Sequence, residues 1–213
     1  MKNALFLVDD RWHSGASIEP LVDKVFDNEE WNVIFSNDPE KLYNSDLDLI
    51  VTFKDPLEDN TIPTPMWTYE KWTECCLKMV ESGTGFLAFH AGTLNLPEDH
   101  KIVKNLTHAV FITHPEQCEL KVDIIKSHPV TEGVDSFTLP VIDEHYHMKI
   151  VDEDKVTILA NTVSKYGTQP GLWVSEYGKG RICCFTPGHT TESLTSDGFV
   201  KIMKNAVKWC ERD

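Results

Sequence analysis

The chain lacks any apolar stretch approaching the roughly 20 residues that a membrane-spanning helix needs. Its first ten residues hold one short apolar run, which Asp9 and Asp10 interrupt. This pattern is typical of neither a signal peptide nor a membrane anchor. We therefore expect a cytoplasmic protein without a membrane partner.

Basic residues are also scarce. Twenty lysines and arginines stand against 34 aspartates and glutamates, which gives a formal net charge of −14 with neutral histidines. A negative mean field repels the phosphates of nucleic acids and the headgroups of anionic lipids. We therefore expect no nucleic-acid partner, and we look for a small-molecule site instead.

The six cysteines form no Cys-x-x-Cys motif. Four of them occur as the adjacent pairs Cys75-Cys76 and Cys183-Cys184, inside segments of apolar periodicity. Disulfide frameworks and structural zinc sites have characteristic cysteine spacings that are missing here. We expect reduced and mostly buried thiols, as is usual in the cytosol.

Buried strands and amphipathic helices alternate along the chain. A length of 213 residues with 41% hydrophobic composition can bury one sizeable core, which predicts a single domain over 1–213. Continuous apolar runs such as 4–8 and 85–89 are typical of parallel strands that helices cover on both faces. Further strands are predicted at 33–35, 47–53, 119–125, 141–150, 156–160, 172–176 and 181–186, and helices at 18–26, 66–82 and 199–210. The pattern predicts an α/β fold with a doubly wound, mostly parallel sheet and helices on both faces.

Ionisable side chains follow several of the predicted strands. His13 lies in the loop after the first strand, His90 follows the strand at 85–89, and His189 comes shortly after the last strand. Ligands of parallel α/β sheets bind beyond the carboxyl ends of the strands, so these positions are candidates for chemistry.

The segment 85–93 has the form of a nucleophile elbow, a sharp strand-to-helix turn in which small neighbours let one side chain project. Its tip is His90, which can act as a general acid or base, a ligand or a hydrogen-bond donor. Because an imidazole cannot form the thioester of glutaminase chemistry, that activity is excluded. In the alternative interpretation His90 only caps the strand. Gly92 and Thr93 are predicted to bind substrate.

The segment 143–147 allows two interpretations, because successive side chains on a strand alternate between its faces. Glu144 and Tyr146 would present a carboxylate and a phenol, a pair suited to binding and deprotonating sugar hydroxyls. On the other face, His145 and His147 could share a metal ion with Asp143 or a distant histidine. The cofactor stays undetermined, since a divalent metal is compatible with the sequence but not required by it.

Glycines shape two further turns. Gly188 lets the backbone turn sharply and present His189 at a strand end, although His189 could also be an ordinary surface-loop residue. The segment 177–181 indicates a tight turn without a catalytic role. His114 is a turn residue that could reach the same pocket and is counted with the candidate substrate-binding residues.

Taken in order, these motifs resemble the ThuA-like (trehalose utilisation) family, which has a class I glutamine amidotransferase-like, flavodoxin-like fold. The resemblance spans nearly the whole chain and rests on the segments 89–93, 127–133, 143–146 and 177–181 and on Gly188-His189. It implies a role in carbohydrate catabolism, on disaccharides or their keto derivatives. Carried over to this sequence, it implies a pocket lined by His13, His90, Glu144, Tyr146 and His189.

Three functional hypotheses follow. The leading one is a carbohydrate-active enzyme in which His90 and Glu144 form an acid/base pair, with His189 and Tyr146 orienting the sugar. The second is a non-catalytic sugar-binding or regulatory module, and the third is a metal-dependent hydrolase or isomerase that uses His145 and His147. The sugar, the reaction type and the oligomeric state stay open. Trp67 and Trp72 could line the interface of a homo-oligomer, or they could equally belong to the core.

Overall fold

The computed structural model describes residues 1–44, 46–57 and 66–211. Its strands in chain order are β1 (Lys2–Leu7), β2 (Trp31–Ser36), β3 (Leu49–Thr52), β4 (Gly85–Phe89), β5 (Ala109–Thr113), β6 (Lys121–Ile124), β7 (Phe137–Thr138), β8 (His147–Ile150), β9 (Thr157–Ser164), β10 (Gly167–Tyr177) and β11 (Gly180–Phe185). Its α-helices are α1 (Glu19–Val25), α2 (Glu70–Ser82), α3 (Thr191–Leu194) and α4 (Asp197–Cys210).

The continuous apolar runs form a parallel half-sheet in the order β2-β1-β3-β4-β11. Alternate residues of β1 face opposite layers: Phe6 packs with α1 and α4, whereas Leu5 and Leu7 pack with α2. Helices therefore cover both faces of the sheet, which explains the continuous apolar runs in its central strands. The α/β class is confirmed.

The rest of the large sheet, β10-β9-β6-β7, is antiparallel, so the sheet is mixed. Only Lys165 and Tyr166 separate β9 from β10, and only Gly178 and Lys179 separate β10 from β11. A parallel connection needs a crossover of a dozen or more residues, whereas two residues suffice for a hairpin. Gly178 adopts a φ of 59° in the second hairpin, in agreement with the tight turn predicted there.

Several segments differ from the predicted elements. The strand expected at 141–150 is reduced to β8, with Asp143 forming an isolated bridge to Cys118 and 144–146 outside any strand. β8 pairs instead with β5, a strand the sequence analysis did not predict. The helix expected from residue 66 begins at Glu70.

Several expectations about burial can be compared with the structure. Trp67 and Trp72 are both buried and pack edge to face, so they belong to the core. All six cysteines are free thiols, and five of them are buried. Among the described helices, none combines the length and the apolar character that a bilayer crossing requires.

Candidate functional site

The loops after three parallel strands meet at the carboxyl edge of the sheet. His13 follows β1, His90 follows β4 directly, and His189 follows β11. The segment before β8 adds Glu144 and Tyr146 to the same place. The structure thus brings together the five residues that the family resemblance implied for the pocket.

His90 is the central residue of this cluster and is fully buried. Its backbone has a φ of 44°, a left-handed conformation that a non-glycine residue adopts at a cost of roughly 1–3 kcal/mol. Burial, and next the neighbouring His13 and His189, lower the pKa of His90 well below its ordinary value, so the ring is neutral. Its Nδ1 lies 3.1 Å from the carbonyl oxygen of Thr186. A carbonyl can only accept a hydrogen bond, so Nδ1 carries the proton and Nε2 has the free lone pair.

That lone pair faces three polar groups. The Nε2 atom of His90 lies 3.1 Å from the hydroxyl of Tyr146, 3.2 Å from Nδ1 of His189 and 3.6 Å from Oε2 of Glu144. The phenol ring of Tyr146 also stacks on the imidazole, with 4.6 Å between ring centroids. Burial and the adjacent Glu144 carboxylate raise the pKa of Tyr146 well above its ordinary value, so the phenol keeps its proton.

Asp10 fixes the third imidazole. Both of its carboxylate oxygens lie 2.9 Å from Nδ1 of His13, and one of them also accepts the backbone N–H of Asp55. Burial would raise the pKa of Asp10, but its hydrogen bonds, with that from His13 foremost, outweigh burial and lower the pKa. Nε2 of His13 is buried and has no hydrogen-bond partner among the described residues.

Asp143 holds the loop that carries His189. Its buried carboxylate accepts the backbone N–H groups of Glu144 at 2.8 Å, His189 at 3.1 Å and Gly188 at 3.3 Å. One carboxylate thereby positions two residues of the cluster from distant parts of the chain.

The predicted alternation of faces in 143–147 is present. Glu144 and Tyr146 point to the cluster, whereas His145 and His147 pair with each other, with 5.1 Å between ring centroids. The Nδ1 atom of His145 bonds to the hydroxyl of Ser164 at 2.7 Å. Burial, and next the neighbouring His147, lower the pKa of His145 to about 4.

The metal alternative at His145 and His147 lacks a third ligand among the described residues, since the Asp143 carboxylate is engaged by backbone amides. Among the described residues, one group of three or more histidine, cysteine or acidic side chains is close enough to share an ion. Its members are His13, His90, Glu144 and His189.

A cavity of about 550 Å³ opens above the cluster, within the usual size of small-molecule sites. The side chains of Glu144 and His189 reach it with 13% and 25% exposure, whereas His90 lies beneath its lining. The cavity is lined by Trp12, His13, Asp55, Leu94, Asn95, Phe111, Ile112, Thr113, His114, Glu144, Tyr146 and His189.

Gly92 and Thr93, predicted to bind substrate, are absent from that lining. A Cβ atom on Gly92 would lie 2.0 Å from the carbonyl oxygen of Thr52, so this glycine permits close packing of the turn on β3. The hydroxyl of Thr93 donates to the carbonyl of His90 at 2.7 Å and helps to hold the left-handed residue. His114, by contrast, does line the cavity.

The sequence analysis missed several residues of the site, among them Asp10, Trp12, Asp55 and Asn95. Asp10 and Asp55 come shortly after β1 and β3, so the strand-end rule that selected the histidines would also have selected them. Burial raises the pKa of Asp55, whose carboxylate accepts a hydrogen bond from Asn95 at 2.8 Å. No local pattern marks Trp12 or Asn95.

Fold and site together define an α/β protein with a histidine-rich pocket at the carboxyl ends of parallel strands. A family model described as "ThuA: Trehalose utilisation" matches residues 4–210. The chain therefore belongs to the ThuA family, as its motifs suggested.

Solved structures agree with this assignment. A ThuA-like protein from Bacteroides uniformis is 19% identical, with a TM-score of 0.75 over 98% of this chain and 91% of the other. A ThuA-like protein from Parabacteroides merdae is 17% identical, with a TM-score of 0.76 over 98% and 89%. A protein of Salmonella typhimurium LT2 described as cytoplasmic is 15% identical, with a TM-score of 0.67 over the full length of both chains. No curated protein matches the sequence.

Proposed function

We propose that this ThuA-family protein is an enzyme of carbohydrate catabolism that acts on a disaccharide or keto-sugar by proton transfer at His90, Glu144 and His189. The observation that carries the proposal is the convergence of these side chains beneath one cavity. The trehalose-utilisation description of the family supports the substrate class. His90 stands where glutaminase chemistry would need a thiol, so the proposal includes no glutaminase activity.

Glu144 is the group in this cluster best placed to take a proton from the substrate. Its carboxylate borders the cavity and lies 3.4 Å from Nδ1 of His189 and 3.6 Å from Nε2 of His90. It would remove a proton from a sugar hydroxyl or from a carbon next to a keto group. His90, which does not reach the cavity, would act through Glu144 as its acid/base partner.

The other cavity residues supply what sugar recognition requires. The hydroxyl of Tyr146, which donates to Nε2 of His90, can accept a hydrogen bond from a sugar hydroxyl. Asp55, Asn95 and Thr113 add polar groups to the wall, and Trp12 presents a ring that is 61% exposed. An exposed aromatic face beside polar groups suits a ligand with apolar ring faces and polar edges.

The test is turnover of trehalose and of a keto-disaccharide by the wild type and by Glu144→Gln. We expect the substitution to lower kcat/KM about 10²–10⁴-fold, the usual contribution of a general acid or base. Glu29→Gln makes the same chemical change on an exposed residue before β2, at the opposite end of the strands, and should leave turnover unchanged.

A second substitution addresses the buried partner. His90→Ala should also abolish turnover, with circular dichroism and the melting temperature showing that the variant is folded. Full activity of either variant would reject the assigned role. Tight sugar binding by calorimetry, without product after long incubation of the wild type, would favour the non-catalytic binding module instead.

We also infer a flavodoxin-like, class I glutamine amidotransferase-like fold and a single domain in the cytoplasm. The order β2-β1-β3-β4-β11 in the parallel half supports the fold, because flavodoxin-like sheets have strand order 2-1-3-4-5. One sheet that includes strands from both ends of the chain supports the single domain. Six free thiols support the reducing compartment.

A further inference from the structure

The cluster beneath the cavity has a polar atom that its protein contacts do not satisfy. Nε2 of His13 is buried without a hydrogen-bond partner among the described residues. A buried polar atom left unpaired costs roughly 1–3 kcal/mol, so such an atom at a functional site indicates a missing partner. His13, His90, Glu144 and His189 each offer one ligand atom, and these four atoms lie within 4.8 Å of one another.

Two of the imidazoles are oriented as metal-binding histidines are. Asp10 engages Nδ1 of His13, and the carbonyl of Thr186 accepts from Nδ1 of His90. Histidines that bind metals characteristically donate their other ring N–H to a carboxylate or a backbone carbonyl, which fixes the tautomer and aims the free lone pair at the ion. Both Nε2 atoms are thus prepared as ligands.

The spacing of the remaining atoms matches tetrahedral coordination. Metal–nitrogen and metal–oxygen bonds of about 2.0–2.1 Å place two ligands of a tetrahedral zinc site about 3.3–3.4 Å apart. The three measured separations among His90 Nε2, His189 Nδ1 and Glu144 Oε2 are 3.2, 3.4 and 3.6 Å. Only small shifts of these three side chains are needed for their atoms to coordinate one ion.

We propose that the protein binds one divalent transition-metal ion, best matched by zinc, through the imidazoles of His13, His90 and His189, with Glu144 completing the coordination on the cavity side. Three imidazoles and one carboxylate suit zinc and related first-row ions. The ion gives the Nε2 atom of His13 its missing partner. It also balances the negative charge of Glu144.

The role of the ion in a reaction rests on the proposed function, whereas its binding does not. A carbonyl or hydroxyl oxygen of the sugar would take the coordination position of Glu144, so that one metal–oxygen bond replaces another without any redox change. The ion polarises the sugar oxygen, and the released carboxylate is free to accept the proton. With its Nε2 on the ion and its Nδ1–H on the carbonyl of Thr186, His90 would hold the ion instead of exchanging a proton with Glu144.

Metal binding is tested on the full chain purified without a histidine tag. Protein freed of metal with a chelator is titrated with Zn²⁺ or Co²⁺, then dialysed and measured by elemental analysis. We expect about one ion per chain, and a cobalt absorption spectrum typical of tetrahedral nitrogen and oxygen ligands. Less than a tenth of an ion per chain after dialysis would overturn the proposal.

Variants locate the ion. His13→Ala and His189→Ala should each abolish stoichiometric binding, and Asp10→Asn should weaken it about 10–100-fold, as loss of an outer-shell partner does. His145→Ala is the matched control, because it removes a buried histidine from the neighbouring pair and should retain the ion. Loss of the ion from His145→Ala, with retention in folded His13→Ala, would place the metal at the His145–His147 pair and refute this site.

Metal content and turnover separate the two proposals. Stoichiometric zinc in a protein that turns over no sugar would leave the metal site standing and reject the proposed enzyme. Full turnover by chelator-treated protein with no detectable metal would keep the enzyme and reject the ion's role in the reaction, while the titration decides its binding.

Discussion

At the scale of the residue, two buried carboxylates determine the geometry of the candidate site. Asp10 orients the imidazole of His13, and Asp143 holds the backbone N–H groups of Gly188 and His189. Neither carboxylate needs to touch the substrate. Their effect is to fix the direction in which a neighbouring histidine points.

Asp143→Asn should destabilise the fold by about 1–3 kcal/mol, the cost of leaving buried backbone donors without an acceptor. The new amide group offers one acceptor oxygen where the carboxylate offered two, and its N–H₂ would face other donors. The measurement is the free energy of unfolding from urea denaturation. Asp135→Asn, an exposed position, is the control and should change little. Equal midpoints for both variants would contradict the assigned role.

At the scale of the element, short helical turns depend on their caps. The 3₁₀ helix Pro129–Thr131 begins after His128. The ring Nδ1 of His128 accepts the backbone N–H of Val130 at 3.2 Å, and the backbone N–H of His128 donates to the hydroxyl of Thr131 at 3.0 Å. An imidazole can accept in this way only when neutral. Burial, and next the charges of Lys126 and Arg181, lower the pKa of His128, against a smaller opposing effect of Glu176.

This cap predicts a pH dependence of stability. Because the folded pKa of His128 lies below its unfolded value, the unfolded state binds the proton first as pH falls, and stability decreases below about pH 6.5. His128→Asn keeps a cap acceptor but cannot titrate, so it should lose less stability than the wild type between about pH 8 and pH 5. Urea denaturation of both proteins at both pH values measures this difference. The other histidines are the same in the two proteins, so their contribution cancels. Parallel losses would show that the cap does not sense pH.

Element prediction succeeded where a segment is buried on both faces. The apolar run 85–89 matches β4 residue for residue, since it packs between two helical layers. It failed at 144–146 and at β5, a strand that pairs with β8 in a separate two-stranded sheet. Partners for such a pair lie tens of residues away, so periodicity within either segment does not reveal the pairing.

At the scale of the whole molecule, the excess of acidic residues sets the electrostatic behaviour. A net charge of −14 produces self-repulsion that weakens the compact state. The ion pairs that oppose it, such as Lys101 with Glu74 and Lys149 with Glu98, lie between half-exposed side chains, where solvent screens them strongly.

We therefore predict that salt stabilises the protein. Raising NaCl from about 0.05 M to about 0.5 M shortens the screening length from over 10 Å to less than 5 Å and should raise the melting temperature. Differential scanning calorimetry of metal-free protein measures the shift, with KCl as a check against ion-specific binding. A melting temperature that falls with salt would mean that the surface ion pairs outweigh the net repulsion.

The sequence by itself determined the α/β class, the buried central strands, the helices on both faces and the strand-end positions of His13, His90 and His189. Each of these depends on the order of apolar and polar residues within a short segment. That Glu144 joins these histidines was implied by the motif resemblance. The tertiary structure alone decided that His90 lies beneath the cavity and that Asp10 and Asp143 orient its neighbours. Residues so distant along the chain become neighbours only through strand order and loop packing, which no local pattern encodes.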